Sequence, residues 1–259
     1  RTLGTRYALK VLEPKQARIE ILRRRFLAEA KIQATVRHPH IVHVLDVIDS
    51  EKDGGIPGVL AIVMEYVEGT TFKQLVAQRG GGIPPQELLP MLQPLFGALT
   101  NLHEMGLIHR DISPDNIMLH PRGGAKLLDF GAARMVENAD VDKGLDRSTE
   151  AIVKHGFAPP EQYTRRGNLG PWTDVYALCA TIYYCTTGKL PPNATDRFMG
   201  DEDFEWETIP GISPGMVRAL QKGTAIRKDE RTQSMAALHQ ALAEEQQKAR
   251  EVHRQISSP

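Results

Sequence analysis

The chain has 259 residues, 41% of them hydrophobic and 25% charged, an ordinary globular composition at a length that builds one large domain or two smaller lobes. Lys and Arg number 32 and Asp and Glu number 32, so no whole-protein basic field marks nucleic acid or an anionic membrane as a partner. Two cysteines, Cys179 and Cys185, exclude a disulfide scaffold and a cysteine-rich zinc module and point to a reducing compartment.

The first predicted element is a strand, Tyr7-Ala8-Leu9-Lys10-Val11-Leu12, stopping near Pro14. Ile19, Leu22, Phe26, Ala30 and Gln33 then recur at helical intervals, with Arg23, Arg24, Arg25 and Lys31 largely off the stripe. That helix stops before His38-Pro39, because a residue ahead of proline resists the α region. Residues 41–48 and 60–66 are β-rich runs around a Gly-rich turn at 53–58. A helix follows from Thr71, broken by Gly80-Gly81-Gly82. A longer helix covers 88–105 despite Pro90 and Pro94 and closes at Gly106. Short strands at 117–119 and 126–128 flank Pro121-Arg122-Gly123-Gly124. From Asp129 to about Thr173 the sequence reads as irregular, and a loop of that length implies function. The apolar run 175–187 is shorter than the ~20 residues of a membrane span and predicts a buried helix that holds both cysteines as small core residues. The rest is helical, and its last turns, 244–254, are almost wholly polar.

Several polar groupings stand out. His109-Arg110-Asp111 precedes Asn116, and Asp129-Phe130-Gly131 begins eighteen residues after Asp111. Pro159-Pro160-Glu161 closes the irregular stretch. Lys10 on the first strand and Glu29 on the next helix form a separated pair of opposite charge. Each tripeptide alone is a weak signal. Lys10, Glu29, Asp111, Asn116, Asp129, Glu161, Asp174 and Arg231, in this order and at these separations, resemble the protein kinase superfamily from Arg1 to about Leu242. The segments Asp111-Ile112-Ser113-Pro114-Asp115-Asn116, Ala158-Pro159-Pro160-Glu161-Gln162-Tyr163 and Gly170-Pro171-Trp172-Thr173-Asp174-Val175-Tyr176 are similar to those of bacterial eukaryotic-like Ser/Thr kinases.

The resemblance implies an α+β, two-lobed fold. Residues 1–67 would form part of the small β-rich lobe, from the lysine strand to the hinge. Residues 68–245 would form the large, mostly helical lobe, and 246–259 a polar tail. The implied reaction is transfer of the ATP γ-phosphoryl group to protein serine or threonine hydroxyls, with Mg²⁺ or Mn²⁺ as cofactor. Phosphoryl transfer needs positioning and charge neutralisation more than covalent chemistry. The resemblance gives Lys10 the α- and β-phosphates, Glu29 the orientation of Lys10, Asp129 and Asn116 the metal, and Asp111 the substrate hydroxyl. Hard oxygen ligands of this kind suit Mg²⁺. Met64 would stand at the gatekeeper position, with Glu65 and Val67 offering backbone groups to the adenine edge and Ala8 and Met118 enclosing its ring. Asp174 would brace the catalytic loop, and Arg231 would pair with Glu161. Arg110 would meet a phosphate on the activation segment, on Ser148 or Thr149 beside Arg147. Expected partners are protein substrates and a second copy for trans-autophosphorylation, with no nucleic acid and no membrane segment in the chain, which places it in the cytoplasm or as the cytoplasmic part of an anchored parent.

Two departures from the family pattern matter. Only nine residues precede Lys10, with Gly4 the one glycine among them, so the family's Gly-rich phosphate lid is not in this sequence. A chain cut short is the expectation, with weak ATP binding and an unpaired edge at its first strand. In addition, the lysine usual two residues after the catalytic aspartate is Ser113, while Lys154 stands where a threonine often faces that lysine. An exchange follows, in which Lys154 reaches Asp111 and the γ-phosphate and Ser113 takes the hydroxyl's place. The competing readings are a scaffolding pseudokinase, favoured by Ser113 and the missing lid, and a small-molecule kinase, disfavoured by Glu161, Asp174 and Arg231. His38, His40 and His43 read as a structural His-Pro turn and strand rather than a metal site, His109 as a structural residue under the catalytic loop, and the Asn193-Ala194-Thr195 sequon as unused.

Overall fold

The computed structural model describes residues 4–50, 59–129, 134–135, 154–164 and 167–256. Its first strand, β1 (Tyr7–Leu12), shows the two-residue alternation of a half-buried strand. Ala8, Lys10 and Leu12 turn inward, while Tyr7, Leu9 and Val11 stand more than half exposed. β1 pairs antiparallel with β3 (Leu60–Glu65), which pairs in turn with β2 (Val44–Asp49). The order β1-β3-β2 leaves β1 at an edge among the described strands.

Between β1 and β2 run α1 (Pro14–Ala17) and α2 (Glu20–Thr35). Phe26 and Ala30 of α2 pack with Val44, Leu60 and Ile62 into a small core. This packing holds α2, since a helix of that length gains most of its stability from burying one face. Gln33, also buried, donates to the carbonyl of Val42 and so fixes the segment that enters β2.

The larger lobe opens with β4 (Thr70–Thr71) and α3 (Phe72–Arg79). Thr71 and Gln74 cap the start of α3 reciprocally, and Gly80, at φ 67°, closes it in the left-handed conformation. Next come α4 (Pro85–Glu104), β5 (Leu107–Ile108), β6 (Ile117–Leu119), β7 (Ala125–Leu127) and β8 (Arg134–Met135). β4, β6 and β7 form one antiparallel sheet, and β5 pairs with β8. A 3₁₀ turn at Pro160–Gln162 leads to α5 (Pro171–Thr187), α6 (Ala194–Met199), a 3₁₀ turn at Trp206–Thr208, α7 (Pro214–Gly223) and α8 (Met235–Ile256). Every residue of α5 from Thr173 to Tyr183 is buried, and α4, α7 and α8 pack around it. The lobes meet at a parallel bridge between Ile41 and Leu127, where Val42 N–H donates to Leu127 O at 2.8 Å and Leu127 N–H to His40 O at 2.9 Å.

Two boundaries differ from the sequence expectation. α4 begins at Pro85 rather than near residue 88, and α5 at Pro171 rather than after Thr173. In both cases proline fills the first turn, where its missing N–H has no partner to lose. Inside α4, Pro90 and Pro94 each remove a helical hydrogen bond, yet the helix continues because Leu88, Leu92, Leu95, Leu99 and Leu102 are all buried. The last helix, α8, runs on through residue 256, in line with the helical reading of its polar last turns.

Candidate active site

Lys10 points inward from β1 and Glu29 faces it from α2. Lys10 Nζ lies 2.6 Å from Glu29 Oε1 and 2.7 Å from Asp129 Oδ1. Burial alone would depress the Lys10 amine, but Asp129 and Glu29 outweigh it and hold the amine above its ordinary 10.5. Lys10 is therefore a fixed cation at physiological pH, held between a small-lobe carboxylate and the carboxylate that follows β7. Burial also pushes the Glu29 carboxyl up, against the pull of Lys10.

The segment between β5 and β6 carries Asp111 and Asn116, and its backbone is held from below. Asp174, in the first turn of α5 and fully buried, accepts the N–H groups of His109 at 2.9 Å and Arg110 at 2.8 Å, and lies 2.8 Å from His103 Nε2. Burial would raise this carboxyl, yet His103, His109 and the Arg110 N–H keep it below its ordinary value. Arg110 takes φ 69°, the one positive φ outside glycine among the described residues. That conformation costs about 1–2 kcal/mol, and Asp174 on one side and Gln162 Nε2, donating to the Arg110 carbonyl at 2.8 Å, hold it in place.

The turn at Arg110 presents Asp111. Its N–H donates to His109 Nδ1 at 3.3 Å. Burial lowers the His109 pKa, which keeps the ring neutral and able to accept. Asn116 Nδ2 donates to both Oδ2 of Asp111, at 2.7 Å, and its carbonyl, at 2.9 Å. Both amide hydrogens are thus committed, which leaves Asn116 Oδ1 as the group to face a cation. With the carboxylate of Asp129 it makes a hard oxygen pair of the chemistry that Mg²⁺ takes. Burial raises the Asp111 carboxyl, and the charge of Lys154 opposes that rise.

Lys154 and Ser113 meet, with Nζ donating to Oγ at 2.6 Å. The ion pair of Lys154 goes to Asp115 Oδ2 at 2.8 Å, while Asp111, the partner expected from the sequence, feels Lys154 through space. Arg231 and Glu161 form a buried bidentate pair at 2.6 and 3.3 Å. Ala8 stands opposite Met64 in the β1–β3 register, Met118 lies on β6, and Val67 follows β3 in the segment before β4. Glu65 ends β3, its carboxylate held by Lys126 Nζ at 2.7 Å and by the His43 N–H at 2.7 Å. His40 Nδ1 lies 2.9 Å from Ala125 O, tying the His-Pro turn to β7. Cys179 and Cys185 are buried and their thiols are pushed well up by burial, as befits inert core residues. Ser148 and Thr149 lie outside the described residues.

Sequence reasoning missed His103, Lys73, Asp115, Gln162 and Lys126. Asp115 sits inside the segment already singled out, but its partners Lys73 and Lys154 are 42 and 39 residues away in the chain, so no local pattern shows them. Gln162 directly follows Glu161, and its contact with Arg110 depends on how the activation segment returns to the catalytic loop.

A small β-rich lobe, a large helical lobe and a cleft joining Lys10, Glu29, Asp111, Asn116 and Asp129 define a kinase-like fold. The chain belongs to the protein kinase domain family, whose pattern matches residues 1–256. Among curated relatives it is 33% identical over 249 residues to the serine/threonine-protein kinase PknL of Mycobacterium tuberculosis, covering 92% of this chain and 59% of that protein. It is 31% identical to the serine/threonine-protein kinase PknB of Mycobacterium leprae, covering 91% of this chain and 38% of that protein. The chain therefore spans about two fifths to three fifths of the length of these two relatives. A solved structure titled PpkA-294 apo form superposes with a TM-score of 0.71 at 31% identity, over 86% of this chain and 76% of that one. Among the described residues, no helix is long and apolar enough to cross a membrane.

Proposed function

We propose that this chain transfers the γ-phosphoryl group of ATP to serine or threonine hydroxyls of proteins. The observation that carries the reading is Lys10 held between Glu29 and Asp129, facing the Asp111–Asn116 pair. The names of its relatives, serine/threonine-protein kinases, support the same reading.

In this reading ATP lies between the lobes, its ring between Ala8 and Met118, beside Met64 and against the backbone of Glu65 and Val67. Lys10 neutralises phosphate charge, and Glu29 keeps the ammonium aimed inward. Asp129 and Asn116 Oδ1 would hold Mg²⁺ or Mn²⁺, which neutralises charge building on the phosphate oxygens. Asp111 orients the acceptor hydroxyl and takes its proton as its oxygen bonds to the γ-phosphorus, while the bond from that phosphorus to the β–γ bridging oxygen breaks and ADP leaves. Lys154, held on Ser113, supplies the cation that this segment otherwise lacks. Glu161, Arg231 and Asp174 keep the segments in register, and Arg110 would pair with a phosphate on Ser148 or Thr149, which a second copy of the chain would add. Two unpaired thiols and the need for ATP fit work in the cytoplasm.

The test is transfer from radiolabelled ATP to casein, with Mg²⁺, by the protein and by its Asp129→Asn variant. Loss of one electrostatic stabiliser of the transition state costs on the order of 100-fold. Transfer that survives Asp129→Asn undiminished, or its absence from a folded parent, defeats the reading.

A further inference from the structure

Among the described residues, Asp115 is a carboxylate set between two lysines beside the catalytic segment. Its Oδ2 lies 2.8 Å from Lys154 Nζ, and its Oδ1 lies 2.9 Å from Lys73 Nζ. Lys73 sits in the first turn of α3, and its backbone N–H donates to Pro114 O at 3.1 Å. The catalytic segment is thereby fixed to α3 by both a backbone bond and an ion pair. On the other side, Lys154 belongs to the end of the activation segment, and its second bond goes to the fully buried Ser113.

We propose that Asp115 is a positioning residue that holds Lys154 on the catalytic segment, in reach of Asp111 and the transferred phosphoryl group. An ammonium has three N–H donors. Ser113 and Asp115 take two of those of Lys154, which fixes the direction of the third. Without a carboxylate between them, Lys73 and Lys154 are like charges brought to one spot, and the Lys154 side chain swings away. The same carboxylate links the helix after the hinge to the activation segment, so the lysine is in place only when α3, the catalytic segment and residue 154 are assembled together. The energetic logic is that of a group whose small displacement removes a contact made in the transition state, where an error of about 1 Å can cost 100-fold.

This inference rests on the kinase reading, and the experiment separates the two. Turnover is measured for the parent, Asp115→Asn, Lys154→Ala, the Asp115→Asn/Lys154→Ala double variant and Asp115→Asn/Ser113→Lys. In parallel, limiting acetic anhydride and mass spectrometry report how fast Lys154 is acetylated in the parent and in Asp115→Asn. The expected result is a tenfold or greater fall in kcat for Asp115→Asn, on the scale of such displacements, with the KM for ATP little changed. The double variant is no slower than Lys154→Ala alone. Ser113→Lys, which returns an ammonium to the catalytic segment, restores turnover to Asp115→Asn, and Lys154 is acetylated faster once Asp115 is neutral. A parental kcat in Asp115→Asn, losses that multiply in the double variant, or unchanged Lys154 labelling overturns the proposal. If the folded parent moves no phosphate, the kinase reading falls, and the labelling alone still shows whether Asp115 holds Lys154.

Discussion

Replacing Arg231 with alanine removes a cation with no access to solvent: its side chain is 0% exposed and that of Glu161 is 8% exposed. All five guanidinium N–H groups are used. Nε donates to Ala225 O at 2.8 Å, Nη1 to Glu161 Oε1 at 2.6 Å and Trp172 O at 3.1 Å, and Nη2 to Glu161 Oε2 at 3.3 Å and Ile226 O at 3.2 Å. The guanidinium also lies 5.0 Å from the centre of the Tyr176 ring. Alanine leaves three carbonyls short of a donor and a buried carboxylate with Thr173 Oγ1, at 3.1 Å, as its remaining neighbour among these bonds. Breaking a buried pair from one side costs about 3–5 kcal/mol. For a chain of this size that lowers the melting temperature by roughly 6–20 °C. Circular dichroism at 222 nm during heating reads the loss, with Glu161→Gln as the milder control, because the amide oxygen still accepts from Arg231. A melting temperature for Arg231→Ala within about 2 °C of the parent refutes the view that this pair holds the activation segment to the large lobe.

Exchanging the two unusual residues, Ser113→Lys with Lys154→Thr, retains phosphoryl transfer, whereas Lys154→Ala loses on the order of 100-fold in kcat; parental turnover in Lys154→Ala sinks the exchange. Acid destabilises the protein partly through His109. Burial lowers its pKa below the ordinary 6.5, so the unfolded chain binds the proton more readily. This contribution is intact above about pH 7 and is lost as pH falls through the unfolded value of about 6.5 toward the lower folded one. Urea midpoints of the parent and His109→Phe between pH 7.5 and 5 check this, since the variant's midpoint falls less steeply; parallel curves contradict it. Gly69→Ala places a methyl group 2.2 Å from Leu119 O at φ 146°. The segment after the hinge must move off β6, costing about 1–3 kcal/mol and raising the KM for ATP; a variant with parental stability and KM shows that the backbone absorbs it.

The family and much of the fold were legible in the sequence because they rest on local signals. β1 alternates along Tyr7–Leu12, α2 carries its stripe from Phe26 to Gln33, and Gly80 and Gly106 close helices where the chain needs a left-handed residue. Chain order and spacing also picked out Lys10, Glu29, Asp111, Asn116, Asp129, Glu161, Asp174 and Arg231. Hydrophobic period could not show that α4 and α5 start at prolines, since a first-turn proline is tolerated for the backbone donor it lacks rather than for the face it buries.

The family pattern supplied the pairs Lys10–Glu29 and Arg231–Glu161; tertiary structure alone decided the other charge partners of the site. Lys154 is read from the sequence as a partner of Asp111, and folding gives its ion pair to Asp115, which Lys73 on α3 and the backbone bond at Pro114 also hold. His103 joins Asp174 across 71 residues of chain, Gln162 reaches Arg110 across 52, and Lys126 reaches the hinge at Glu65 from β7. The sequence states the charge and type of each group. Backbone period and turn chemistry act over a few residues, so they place each element; the pairing of charges tens of residues apart depends on burial and on packing between elements, which desolvate some groups and leave others near water.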